Sequence, residues 1–502
     1  MFYASCRHFE RRLRCLSSFN RRPPPPPGNS LDLKEFKYVD KTHFLAQILS
    51  KEQPQFIHAP AMRRIGKSTT IDMLEEMVKG NREPFEGYAV NKPDSPFQIG
   101  EQKFVCIKLD VSTVADKKYT ASEILERFNK ELVAEAKEQH NLIIDKHDCA
   151  GDTLASWLRA LTQDSDTKIV LLIDEYDSPC TEFLPEFPDR AEDIVEMIRP
   201  FYRMIKKKGE LFHKVFVTGV ARFSATSMFS DANQFWPLME KSAHFCNLYG
   251  FTEKELRETY GVNITQVFGK PLEEMIAKMA IMYNGYCFHP DQDERTYNPM
   301  SILSALHSGK LGPHWARTAT SSTIVDTIGT RGMEVLRGVD IQESELFAAV
   351  STANYLENWK QVMFQTGYAT IADVKRRGDY EADLVLRPPN EEVRRALMEG
   401  FAEKLMKTVS VKRAITAYAK CLQQLDFDGA QDNLRNVFNT MKPSALPETE
   451  GQLSGYVISM LHKCAGFELV YNDVPQKLDD EPTSRGRLIE SEPEHPHPNP
   501  KP

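Results

Sequence analysis

Four short apolar runs, each joined to the next by a helical pattern, constrain this chain more than any other feature of its sequence. Phe56-Ile57 begins the first, and after Gly66 the residues Ile71, Leu74, Met77 and Val78 recur at helical spacing. The second is KFVCIKLDV, Lys103 to Val111, followed by a helix through ASEILERFNKELVAEA. The third, KIVLLIDEYDS, has an almost continuous apolar core. The fourth, KVFVTGV from Lys214 to Val220, comes after a helix around Ile194 to Lys207. Apolar strands that alternate with helices predict a parallel sheet covered on both faces, an α/β fold. Beyond about residue 250 the pattern becomes mainly helical, with Pro and Gly breaks.

The first strand runs into HAPAMRRIGKSTT, His58 to Thr70, which ends like a phosphate-binding loop. Such a loop needs backbone amides at a helix N-terminus, a lysine reaching the β- and γ-phosphates, and a hydroxyl for magnesium. Gly66 permits close backbone approach, Lys67 supplies the charge and Ser68 the hydroxyl; yet Ala61 stands where such a loop usually opens with glycine. The third strand ends in Asp174-Glu175. An acid there can hold a magnesium shell, and the next can activate an attacking water. The same acids also read as solvated residues closing a strand, but the two motifs in this order favour a nucleotide site. Thr218, at the C-terminal end of the fourth strand, stands where a γ-phosphate sensor would sit, because ligands of such sheets bind at those ends.

FKYVDKTHFL, RRIGKSTTIDMLEEMVKGNREPFEGYAV, LLIDEYDSP, FVTGVARFSATSMFS and YNGYCF…YNPMSIL together resemble the AAA-ATPase-like family over roughly residues 31 to 400. The family's loop has no opening glycine, so Ala61 is no defect by that pattern; Met62 and Ile65 stand where proline and phenylalanine are usual. The resemblance implies a P-loop NTPase using ATP and Mg2+. It makes Lys67 the phosphate group, Ser68 and Asp174 the metal ligands, and Glu175 the residue that orients water. Arg63, Arg64, Ile65, Gly66 and Thr69 complete the nucleotide loop, the two arginines either reaching phosphates or lying salt-bridged on the surface. Arg222 is a candidate arginine finger or sensor, and a plain helix-start arginine on the other reading. Asp177 braces the Glu175 loop and Tyr176 packs. Asp40-Lys41-Thr42 lies near the nucleotide by analogy, or simply caps the next helix.

The totals bound the rest. A chain of 502 residues holds two or three domains. Its net charge of −8 offers no broad basic field for nucleic acid. Nine scattered cysteines show neither a CxxC pair nor zinc spacing and suit a reducing, intracellular compartment, with the cytoplasm expected. No apolar run approaches the ~18 residues of a membrane span. MFYASCRHFERRLRCLSSFNRR carries six arginines and one acid, fitting an organellar transit peptide or a disordered basic leader alike. Pro23 to Pro27 reads as a stiff spacer.

The expected organisation is a leader at 1–30, the NTPase core at 31–250, a helical lid-like region at 251–345, a C-terminal helical and α+β region at 346–478, and a disordered tail at 479–502. Asn298-Pro299 starts a helix after an aromatic hairpin. MFQTGYATI and LVLRPPNEEVRRALMEGFAEKL read as a small strand pair leading into a helix. Relatives of this type often continue into a PD-(D/E)xK nuclease. Here Glu448 or Glu450 stands where its first acid would be, but Leu488 and Ile489 hold the place of the aspartate and no Glu-x-Lys follows. A truncated, inactive remnant is expected. Function is therefore expected to be an ATP-driven switch acting on a protein partner, or a nucleotide-binding interaction module without turnover.

Overall fold

The computed structural model describes residues 37–163, 168–184, 186–222, 235–315, 328–348, 350, 354–355, 357–377, 381–405, 409–439, 449–465, 468–469 and 488–489. The leader, the polyproline run, Glu448 and most of the tail lie outside them. The chain divides into two compact units, residues 1–320 with 339–393 and residues 321–338 with 394–502.

The first unit is built on a parallel sheet. Its strands are β1 (Phe56–His58), β2 (Val105–Asp110), β3 (Ile169–Asp174), β4 (Phe212–Val217) and β5 (Trp236–Pro237), in the spatial order β2-β3-β4-β1-β5. β4 thus lies between the strand that feeds the lysine loop and the strand that ends in acids. All six residues of β3 are buried, as a strand covered on both faces requires. Register brings His58, Val217 and Ile173 level, with Asp110 beside Asp174. The next residues of four strands therefore emerge at one height along the C-terminal edge.

Helices flank this sheet. α1 (Thr42–Leu49) precedes β1 and α2 (Lys67–Val78) follows it. α3 (Ala121–His140) starts at a capping box, Thr120 and Glu123 each accepting from the other's backbone. α4 (Ala150–Thr162) and α5 (Pro188–Lys207) follow. The later part of the unit is helical, with α6 (Glu253–Phe268), α7 (Leu272–Tyr283) and α8 (Pro299–Ser308) packed about Leu256, Ile264, Met279, Tyr283 and Ile302. The hairpin read from sequence is present as the antiparallel bridge Tyr286–Thr296, and Tyr297 makes a second antiparallel bridge to Phe251, outside the hairpin. Asn298 caps α8, accepting from the N–H of Met300 and Ser301, with Pro299 at the first helical position.

The expected strand pair is part of a three-stranded antiparallel sheet. β7 (Thr370–Arg377) pairs with β8 (Glu381–Arg387), and β6 (Val339–Gln342) adds to the other edge. β6 alternates buried and exposed over four residues, a pattern too brief to announce itself in sequence.

In the second unit, α9 (Val409–Gln423), α10 (Phe427–Asn439) and α11 (Glu450–Ala465) follow one another. Glu450 is exposed and lies 3.3 Å from Arg337, a basic neighbour rather than a second acid. Leu488-Ile489 pairs antiparallel with Leu469-Glu468. Among the described residues no helix is long and apolar enough to cross a membrane.

Candidate functional site

The loop after β1 is positioned by the sheet itself. Ala59 N–H donates to Val217 O (2.9 Å) and Ala61 N–H to Gly219 O (2.9 Å), so the chain continues β1's pairing with β4 before it turns. Arg64 and Gly66 then take positive φ, +65° and +115°. At Gly66 this left-handed geometry suits glycine; at Arg64 it is backbone strain of the kind stored at binding loops. Gly66 is the N-cap of α2, so Lys67 begins the helix and the loop amides lie at its positive end.

Lys67 is 3 % exposed. Its Nζ donates to the Met62 carbonyl at 3.2 Å and lies 3.5 Å from Glu175 Oε1. Ser68, by contrast, is exposed at the helix start, with its hydroxyl close enough to Asp174 to act on that carboxyl. Burial pushes the Asp174 carboxyl above its ordinary pKa, and the Ser68 hydroxyl opposes that shift. Glu175 has φ +48°, the second non-glycine strained residue of the site. The structure therefore brings Lys67, Ser68, Asp174 and Glu175 together from two segments over one hundred residues apart. Magnesium takes oxygen ligands, one or two from protein with phosphate and water making up the rest. The Ser68 hydroxyl and Asp174 carboxylate are a pair of that kind, and they fit the ion.

Arg63, Arg64 and Thr69 are exposed around this cluster, and Ile65 is buried beneath it. Neither arginine forms an ion pair among the described residues. The Ile65 carbonyl accepts from Gly250 N–H (3.2 Å) and the Arg63 carbonyl from the Trp315 indole (3.1 Å).

The end of β4 is organised differently. Thr218 is fully buried; its Oγ1 donates to the Ala59 carbonyl at 2.8 Å and meets Tyr249 Oη at 3.4 Å. Asp177, 1 % exposed, accepts from Val220 N–H (3.1 Å) and Ala221 N–H (2.7 Å). Burial, together with the Glu175 charge, pushes the Asp177 carboxyl up to about 6. A Cβ on Gly219 would lie 2.1 Å from Asp177 Oδ1, so only glycine admits this approach. Tyr176 packs and donates its hydroxyl to the Ala221 carbonyl (2.7 Å). Arg222 pairs with Glu240, donates its side chain to the Phe347 carbonyl at 2.6 Å, and donates its backbone N–H to Gln365 Oε1. Asp40 accepts from the Thr42 N–H and hydroxyl at the start of α1, and from Ala89 N–H, while Lys41 reaches Glu255 and the Asn247 carbonyl, both at 2.7 Å. These three residues clamp α1 to neighbouring segments.

Sequence reasoning missed Asp110, level with Asp174, which accepts from the Ser112 N–H and hydroxyl. An aspartate ending an apolar run was its only signal. It also missed Tyr249 and Trp315, whose contacts with the loop cross 190 and 252 positions and have no local signature.

Residues 29–229 match the model of the AAA-ATPase-like family, described as a predicted AAA-ATPase. Over these residues the chain is similar to that family. The chain is 27 % identical over 470 residues to an uncharacterized protein in the vnfD 5' region of Azotobacter chroococcum mcd 1, covering 90 % of this chain and 83 % of that one. Two solved structures align weakly. Cdc6p from Pyrobaculum aerophilum has 10 % identity and a TM-score of 0.27, and the ORC2 protein of Aeropyrum pernix, in ADPNP and ADP complexes, has 11 % and 0.26. Each alignment covers 77 % of this chain and 98 % of the other, and at such scores neither bears on fold or ligand.

Proposed function

We propose that the first unit binds Mg-ATP at the Gly66-Lys67-Ser68 turn and hydrolyses it as a molecular switch. One observation carries the reading: Lys67, at the head of α2, lies 3.5 Å from Glu175 at the end of β3, with Ser68 next to Asp174 beside them. When bound, magnesium, held by Ser68 and Asp174, would supply positive charge that neutralises the phosphates. The protein's own groups do the rest. The α2 amides and Lys67 hold the phosphates, and the lysine exchanges Glu175 for them. Glu175, so released, orients the attacking water. Asp174 and Ser68 keep the metal side of the site, while the site's outer face stays open at Arg63 and Arg64.

A second reading, a nucleotide-binding interaction module without turnover, is favoured by Arg222. The candidate finger is bound to Glu240 and to the Phe347 carbonyl, and a finger so held adds no charge to a transferring phosphoryl group. Nuclease chemistry forms no part of either reading.

The two separate in one experiment, Mg-dependent phosphate release by the native chain, Lys67→Ala and Glu175→Gln. A working switch releases phosphate only in native form, and Glu175→Gln still binds ATP. The module binds ATP through Lys67 yet releases none. Failure of the native chain to bind ATP would sink both.

A further inference from the structure

The phosphate loop has no opening glycine and takes much of its shape from distant segments. One of these ties is a side chain. Trp315 is 1 % exposed, its ring 5.1 Å from that of Tyr368, and its indole N–H donates to the Arg63 carbonyl at 3.1 Å. The Trp315 backbone N–H donates to Glu392 Oε1 at 2.6 Å, and Glu392 Oε2 accepts from Ser301 Oγ at 2.6 Å. Glu392 is fully buried. Ser301 lies in the first turn of α8, and it is its hydroxyl that reaches that carboxylate. A helix terminus thus holds a buried acid, the acid holds Trp315, and Trp315 holds the loop.

The carbonyl that the indole grips belongs to the peptide joining Arg63 to Arg64. In a planar trans peptide the C=O and N–H point in opposite directions. Fixing the Arg63 carbonyl on Trp315 therefore turns the Arg64 N–H to the other side. That amide leads into the two left-handed residues, Arg64 and Gly66, that shape the turn before Lys67. We propose that Trp315 is a positioning residue for the nucleotide: its indole N–H, anchored by Glu392, sets the Arg63–Arg64 peptide in the geometry that phosphate binding uses. The proposal rests on the nucleotide reading of the loop. A tryptophan serving only as core would affect folding through its ring, and its N–H would not matter to ATP.

The test is Mg-ATP titration of the full chain as native protein, Lys67→Ala, Trp315→Phe, Glu392→Gln and the Trp315→Phe/Glu392→Gln double variant. A further protein carries benzothienylalanine at position 315, which keeps the ring's shape and lacks its N–H; it decides the matter should the Phe variant not fold. Loss of the N–H is expected to weaken ATP binding about tenfold, the scale of one hydrogen bond. Glu392→Gln should act in the same direction and add little to Trp315→Phe, because both act through one chain of contacts. Unchanged ATP affinity in the benzothienylalanine protein, with binding lost in Lys67→Ala, overturns the proposal and leaves the nucleotide reading standing. No binding by the native chain, or equal binding by Lys67→Ala, removes both.

Discussion

The ends of β3 and β4 lie side by side at one level of the sheet, yet their polar residues have opposite fates. At β3, Asp174 and Glu175 turn toward Ser68 and Lys67. At β4, Thr218 turns inward to Ala59 and Tyr249, and the backbone beyond it is gathered onto Asp177. One edge carries groups able to meet a ligand; the other carries groups spent on holding the edge together. Position at a strand's C-terminal end is therefore insufficient to assign a role. What differs is access: Thr218 and Asp177 are sealed inside the protein, whereas Ser68 is exposed and Glu175 partly so.

The largest test of this contrast is kinetic. Glu175→Gln should lower ATP hydrolysis by about 10²–10⁴-fold, the usual worth of a general base, whereas Thr218→Val should leave the rate near native in the same phosphate-release assay. A comparable loss in Thr218→Val would return that residue to the ligand side. Next comes Gly219→Ala, which places a methyl against Asp177 and Tyr176. Overpacking there should cost about 1–3 kcal/mol, read as a lower urea midpoint; a neutral result would mean that the Asp177 clamp is loose.

Asp177 itself gives a pH signature. Its folded pKa, about 6, stands above the ~3.9 of an unfolded aspartate. The folded state thus holds the proton more tightly. The stability this contributes is present below about pH 4 and lost as pH rises toward 6. The difference in unfolding free energy from urea titration between native protein and Asp177→Asn should therefore change between pH 4 and 7 on the order of 2 kcal/mol. A flat difference would show that the carboxylate's amide partners cancel its burial. The smallest effect is the stability of Thr218→Val, about 1 kcal/mol for one lost hydrogen bond, because Tyr249 still donates to the Ala59 carbonyl at 3.1 Å.

Much of the sheet was legible because its signals are periodic. β3 is apolar at every position before its acids, and α2 and α8 start at marks that act within a turn: Gly66 and Asn298-Pro299. β4 was expected to run to Val220; its regular strand ends at Val217, backbone bonds continue through Thr218 and Gly219, and the chain then departs. The reason is nonlocal, since Asp177 draws the amides of Val220 and Ala221 away from the strand. β5, two residues long, offers no period to read. In the site, Lys67, Ser68, Asp174 and Glu175 were visible as two short motifs, whereas Asp110 needed the strand register to stand beside them.

By itself the sequence determined the strand–helix alternation, the glycine turn ahead of Lys67 and the acids closing β3. Such features depend on the spacing of side chains along a few turns or residues, which the chain carries wherever it goes. The tertiary structure alone decided that Thr218 and Arg222 are bound within the protein, that Arg63's carbonyl rests on Trp315, and that a buried Glu392 stands behind it. Hydrogen-bond partners tens or hundreds of residues apart leave no mark in local spacing. They exist only once packing has removed water and left each polar group to find its partner in the protein.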